Sequence, residues 1–229
     1  MKIGVFGARG VIGSRIVSEA LDRGHDVAAF SRRVDSLDET SDDGRLHWEV
    51  ADPTDADSVA SVLSGLDVAV NAINSGEDIA SAVAHAEVIP KAAQALIAAL
   101  HRFPAVRLIA IGGGGSLEVS PGLQLADTPN FADGLPDKLG VPSSYVRVVE
   151  AQRRALALYR TSNRRWTYVS PSSWLVQPGA RTARFRLGRD TMLTDAAGHS
   201  SISAEDLAIA VIDEAEHPRH VQLRFTVGY

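Results

Sequence analysis

Residues 3–17 read IGVFGARGVIGSRIV: an apolar run, then Gly7, Gly10 and Gly13, then apolar residues at helical spacing. A strand that runs directly into glycines and then a helix lets the backbone turn sharply and come close to a diphosphate. The negative charge then meets free N–H groups and the positive end of the helix that Val11 and Ile12 open. A glycine pattern by itself says little, because most glycines in turns only make turns. Here the context is complete: a strand before, a helix after, and the first place in a repeated series.

That series extends along the chain. Short β-rich runs at 3–6, 27–30, 46–50, 68–70, 106–111 and 166–170 alternate with helical repeats. The alternation predicts an α/β protein with a doubly wound parallel sheet and helices on both faces. The first helix places Val11, Ile12, Ile16, Ala20 and Leu21 along one face and ends near Gly24. Thr54 with Asp57, and Ser203 with Asp206, have the spacing of helix N-cap signals. Pro90 marks a helix start or kink in the alanine-rich stretch 79–100. Residues 112–143 carry four consecutive glycines and Pro121, Pro129, Pro136 and Pro142. So long a connection reads as an ordered flap over a site. No linker or internal repeat divides the chain, so 1–229 is read as one domain, with a small substrate-side region over about 171–229.

Composition narrows the function. Hydrophobic content of 45% and charged content of 22% are ordinary for a globular chain. The net charge of -5 offers no excess of cations for nucleic acid or an anionic membrane. No cysteine is present, which excludes disulfides, thiolate metal sites and thiol nucleophiles together. The close pair His217 and His220 flanks Pro218 without a surrounding carboxylate pattern, so no metal is expected. With no signal-like segment or long apolar stretch, the reading is a soluble cytoplasmic protein.

A dinucleotide fold reads its ribose at the end of the second strand, where an acid bonds a free 2′-OH and an arginine accommodates a 2′-phosphate. That end reads Ser31-Arg32-Arg33, with no carboxylate before Asp35. Arg9 adds a second cation inside the glycine loop, and a guanidinium suits phosphate geometry. NADP(H) is therefore favoured over NAD(H), the alternative for Arg32 and Arg33 being solvated surface charges.

The G-x-x-G-x-x-G spacing resembles the extended and atypical short-chain dehydrogenase/reductase superfamily. The resemblance continues through ADPTD (51–55), VNAINSG (70–76), RLIAIGGGGSLEV (107–119), WTYVSPSSWLVQPGARTARFRLG (166–188) and SISAEDLAIAVIDEAEHPRH (201–220). The chain is similar to the atypical NAD(P)H-binding branch holding NADH-flavin reductase-like, biliverdin reductase B-like and NmrA-like proteins, which implies a Rossmann-type fold. It also implies that Asp52 touches the adenine amine and that Asn71 and Ala72 line the middle of the cofactor. Gly112 would lie near the nicotinamide ribose, with Ser170 and Pro171 flanking the nicotinamide.

Ordinary members of that superfamily pair a tyrosine with a lysine four residues later for proton transfer. Here Tyr145 is followed at that spacing by Val149, Tyr159 by Asn163 and Tyr168 by Ser172. A reductase of a flavin, quinone or similar planar acceptor needs no such dyad, since positioning is most of its catalysis. Ser116 is the catalytic hydroxyl candidate, with a turn cap as its alternative reading. Trp174, Phe131, Leu117, Leu123 and Leu125 are candidates to shield a flat ring, or core. Arg181, Arg184, Arg186 and Arg189 either receive an anion or form a solvated edge. The other class of function that fits is a non-catalytic NADP(H)-binding redox sensor of the NmrA-like type. The sequence leaves the oligomeric state open.

Overall fold

The computed structural model describes residues 1–32, 44–173 and 175–229. The opening stretch becomes β1 (Lys2–Phe6) and α1 (Val11–Asp22). After it come β2 (Asp26–Ser31), β3 (Leu46–Val50), α2 (Ala56–Val62), β4 (Val68–Asn71), α3 (Ile79–Ala84), α4 (Val88–Leu100) and β5 (Arg107–Ile111). Then follow β6 (Glu118–Ser120), β7 (Leu123–Gln124), α5 (Leu135–Leu139), α6 (Val146–Thr161), β8 (Trp166–Pro171), β9 (Arg186–Gly188), α7 (Ala204–Glu216) and β10 (Leu223–Gly228). The main sheet has the order β3-β2-β1-β4-β5-β8-β10-β9. All neighbours in it are parallel except β9, which runs antiparallel to β10. The first six strands thus have the Rossmann order, and the order reverses between β1 and β4, where such sheets bind ligands.

The apolar run of β1 reads as continuous because both of its faces are covered. Ile3 and Val5 enter a core shared with Ile16 and Ala20 of α1 and Leu207 and Val211 of α7. Phe6 faces the opposite core with Leu96 of α4 and Leu156 of α6. Its ring centroid lies 4.5 Å from that of Phe30, its register partner on β2. Ser203 caps α7 as expected, accepting the Asp206 N–H at 3.0 Å. The cap of α2 is displaced by one residue. Asp55 accepts from the N–H groups of Asp57 and Ser58 at 2.8 and 3.0 Å, while the Thr54 hydroxyl is already donated to Asp52. Pro90 sits in the first turn of α4, where a missing N–H costs nothing.

The segment 112–143 is partly woven into the fold. Leu117 and Leu125 are buried, and the Glu118 N–H donates to the Asp190 carbonyl at 2.8 Å. Beneath the β6–β7 hairpin, the buried Arg224 of β10 pairs with Asp190 and donates to both the carbonyl and the hydroxyl of Ser116, each at 2.9 Å. Two of the arginines considered for anion capture are also tied into the fold. Arg181 forks onto Glu19 of α1 at 2.9 Å, and Arg186 donates to the carbonyls of Thr194 and Tyr229. His220 bonds Glu214 at 2.7 Å rather than facing outward with His217, and that carboxylate pairs with the buried Arg107. Removing either member of such a buried pair leaves an uncompensated charge, at a cost of about 3–5 kcal/mol.

Candidate dinucleotide-binding site

The site begins where β1 ends. Gly7 has φ 78°, a left-handed conformation, and a side chain there would stand 2.5 Å from the carbonyl oxygen of Ala72. Gly7 therefore makes the turn and lets the loop lie against the end of β4. Gly13 is closed in by protein too, since its Cβ would fall 2.1 Å from the Gly7 oxygen. Gly10 differs. Its backbone is ordinary extended chain (φ -71°, ψ 167°), and the nearest atom to an added Cβ is the Gly7 oxygen at 3.2 Å. The backbone conformation does not demand glycine at this position, and packing demands it less than at Gly7 or Gly13, since a Cβ would crowd a single carbonyl oxygen; Gly10 caps α1 without offering any side chain to the helix's first N–H groups. No acidic residue occupies the first turn. The donors of Val11 and Ile12 and the positive helix end thus face the space beside Gly10, which suits a diphosphate.

The outer side of the loop carries the groups expected to read the ribose. The Arg9 guanidinium lies over the Trp48 ring of β3, 4.6 Å from its centroid. Arg32 follows Ser31 at the end of β2, and its charge reaches Asp52. The exposed Asp52 carboxylate accepts from the backbone N–H and hydroxyl of Thr54 at 2.9 and 2.7 Å. Those bonds, the backbone one first, hold its carboxyl below the usual carboxylate range, with Arg32 helping. Arg33 and Asp35 lie outside the described residues, as does Trp174.

On the β4 side, Asn71 is nearly buried and braces the strand end. Its amide donates to the Tyr159 hydroxyl at 3.2 Å, and its oxygen accepts the Ile73 N–H at 3.2 Å. The Ala72 N–H donates to the Phe6 carbonyl at 3.0 Å, which joins the two strand ends across the crevice.

Beyond β5, the Gly112 N–H donates to the Val169 carbonyl at 2.9 Å, next to Ser170 and Pro171. Ser170 is fully buried, and its hydroxyl has no partner among the described residues. The four glycines here are packed against protein. A Cβ at Gly112 would overlap the Tyr168 phenol at 1.9 Å, one at Gly113 the Gln152 amide at 2.0 Å, and one at Gly115 the Val149 side chain at 2.3 Å. Val149 therefore seals the place where a dyad lysine would stand. Tyr145, four residues earlier, packs against the small α3–α6 cluster of Ala82, Ala86, Val148 and Ala151, and desolvation pushes its phenol above the usual range. Burial does the same to Tyr159 and Tyr168. Ser116 is buried, its oxygen accepting from Arg224.

Sequence reasoning did not find Trp48 or Arg224. Trp48 was legible only as one letter of a strand, and nothing along the chain connects Arg224 with Ser116, 108 residues away. Among the described residues, no group of three or more His, Asp or Glu side chains is placed to hold a metal ion, and no helix is long and apolar enough to cross a membrane.

Strand order, glycine loop and uncapped helix together define a Rossmann-type dinucleotide-binding protein. The chain belongs to the NAD(P)H-binding family, whose model matches residues 7–218. It is 36% identical to the uncharacterized protein YwnB of Bacillus subtilis over 230 residues, spanning 99% of this chain and 98% of that one. Among solved structures, it superposes with a TM-score of 0.82 on a protein of Burkholderia pseudomallei described as a "putative exported protein". The two are 36% identical, with both chains fully covered. A Streptococcus pneumoniae protein described as a "putative NADH-flavin reductase" gives a TM-score of 0.78 at 27% identity, covering 100% of this chain and 99% of that one.

Proposed function

We propose that this protein is an NADPH-dependent oxidoreductase that passes hydride to a flavin, a quinone or a similar planar acceptor. The observation that carries the reading is the sealed dyad position: Val149 is packed into the glycine run where proton-relay chemistry would need a lysine. Beside it the dinucleotide cradle is intact. When bound, the nicotinamide supplies the hydride. The N–H groups at the start of α1 hold the diphosphate beside Gly10, and Arg9 and Arg32, with Arg33, meet the 2′-phosphate. Asp52 takes the adenine side, Asn71 and Ala72 the middle, and Gly112, Ser170 and Pro171 the nicotinamide end. Ser116 accepts from Arg224 and so keeps its own O–H to donate.

An acceptor whose reduction leaves an acidic or water-exposed site draws its proton from solvent, so the protein's contribution is orientation and exclusion of water. The described name of the pneumococcal relative supports a flavin-like acceptor. The test is oxidation of NADPH and of NADH by the purified protein against free flavins, quinones and biliverdin, with both nucleotide affinities measured by titration. Turnover with at least one planar acceptor, and binding of NADPH about tenfold tighter than NADH, are expected. Equal affinities overturn the NADPH preference. Tight NADPH binding without turnover on any acceptor overturns the reductase and leaves the sensor.

A further inference from the structure

We propose that the side-chain amide of Gln152 hydrogen-bonds the ribose on the nicotinamide side of the bound nucleotide; this rests on the nucleotide placement given above. α6 turns one stripe of side chains inward, and Val148, Val149, Ala155, Leu156 and Tyr159 are buried along it. Gln152 falls inside that stripe, four residues after Val148 and four before Leu156, and is half-buried. Only its backbone carbonyl is engaged, accepting from the Tyr168 hydroxyl at 3.1 Å, and the amide makes no hydrogen bond among the described residues. Packing gains nothing from a half-desolvated amide without a partner, and a methionine of the same length would avoid the cost.

The amide stands at the carboxyl edge of the sheet. It lies against Gly113, where any side chain would overlap it, so glycine at 113 is what lets it come forward. Gly113 is half-exposed and follows Gly112, whose N–H is tied to the Val169 carbonyl beside Ser170. Two turns further along the same stripe, the Tyr159 hydroxyl accepts from the amide of Asn71 at the end of β4. One face of α6 thus serves two strand ends that border the crevice, and its polar group at β4 is satisfied while the one at β5 is open. A primary amide carries both an acceptor and a donor, which matches a vicinal diol: one ribose hydroxyl donates to the oxygen while the other accepts from the nitrogen. Val149, one turn earlier, offers neither. A neutral amide holds the ribose, and with it the attached ring, without placing a charge beside hydride transfer. The adenine half is out of its reach, since β5 is three strands from β2, about 14 Å across the sheet.

The test is titration of wild type, Gln152→Met and Gln152→Ala with three ligands, each variant first checked for cooperative unfolding in urea. NADPH carries the whole nucleotide, 2′-phospho-ADP-ribose keeps the second ribose without the ring, and adenosine 2′,5′-bisphosphate lacks both. NADH, ADP-ribose and ADP are run in parallel, so the outcome does not depend on a 2′-phosphate preference. Gln152→Met preserves the length of the side chain and removes both polar atoms, and Gln152→Ala decides the matter where the longer variant fails to fold. Either is expected to weaken NADPH and 2′-phospho-ADP-ribose about five- to tenfold and the bisphosphate less than about twofold. Equal weakening of all three ligands marks the glutamine as structural and overturns the proposal. Weakening of NADPH alone moves the contact to the nicotinamide ring and overturns the ribose assignment. Unchanged affinity for every ligand in a folded variant overturns it too, including where only the KM of the acceptor rises, and leaves the nucleotide placement standing. Wild-type protein that binds none of these nucleotides fails that placement first, and the proposal with it.

Discussion

The two glycine-rich stretches sit at the same carboxyl edge of one sheet and look alike as sequence, yet they serve opposite purposes. In residues 7–13 the outer glycines are demanded by the protein, and the middle one, Gly10, is the least confined, its Cβ meeting only the Gly7 oxygen at 3.2 Å. In residues 112–115, three of the four glycines would drive a side chain into Tyr168, Gln152 or Val149. A glycine with the weakest protein-made reason, at the start of a helix with uncapped donors, suits the approach of a ligand's charged group. Glycine with a packing reason marks a joint between a strand end and α6. The first stretch is therefore the proposed cradle, and the second fixes how closely α6 approaches the edge.

Substitution at each stretch separates the two roles, and the largest effect is expected at the cradle. Gly10→Val adds a branched side chain at an extended backbone position, where its Cβ presses on one carbonyl oxygen at 3.2 Å and its methyl groups enter the space proposed for the diphosphate. NADPH affinity should fall at least about 100-fold, while the unfolding midpoint in urea stays close to wild type. Isothermal titration alongside denaturation reads both. A folded variant with unchanged affinity removes the cradle from the glycine loop.

Gly112→Ala should show the reverse pattern, with a smaller magnitude. The added methyl overlaps the phenol of Tyr168, which is fully buried and donates to the Gln152 carbonyl at 3.1 Å. The ring has no free direction to move, and overpacking of this kind costs about 1–3 kcal/mol. Urea denaturation should show that loss, with NADPH affinity changed far less than by Gly10→Val. A variant as stable as wild type, but as impaired for the nucleotide as Gly10→Val, would make the ligand rather than Tyr168 the reason for glycine at 112 and dissolve the contrast.

What was legible in the chain follows local patterns. The strand–glycine–helix opening, the alternation of strands and helices and the Ser203 cap depend on residues within a few positions of one another, and each is found where the pattern puts it. The α2 cap moves from Thr54 to Asp55 because two oxygen-bearing neighbours compete for the same N–H groups, and the Thr54 hydroxyl goes to Asp52 instead. Contacts across the chain left no trace in the sequence. The charge of Arg224 is spent on Asp190 and Ser116 and that of Arg181 on Glu19, while Arg9 stacks on the face of Trp48. The arginine-rich segment 181–189 therefore read equally well as an anion site or a solvated edge, when Arg181 bolts it to α1 and Arg186 to the carbonyls of Thr194 and Tyr229.

The smallest expected effect concerns the joint itself. Tyr145 opens α6, four residues before Val149, and is the residue a proton-relay mechanism would require. Desolvation raises its phenol, so the hydroxyl stays neutral across the pH range in which a reductase works. The position four residues on, where a dyad lysine would act on it, holds Val149, which is pressed against Gly115. A neutral phenol in an apolar cluster can donate a hydrogen bond but gives no ionisation to a rate profile. Tyr145→Phe should therefore lower kcat less than about tenfold, short of the ~10²–10⁴-fold typical of removing a general acid or base. Both nucleotide affinities should be kept, and kcat should be flat from about pH 6 to pH 9 in wild type and variant alike. Steady-state kinetics with whichever planar acceptor supports turnover decides it. A 100-fold fall in kcat at unchanged affinity, with a titration present in wild type and missing from the variant, would make Tyr145 the acid. Gly113 and Gly115 would then border the reacting centre rather than form the joint behind it.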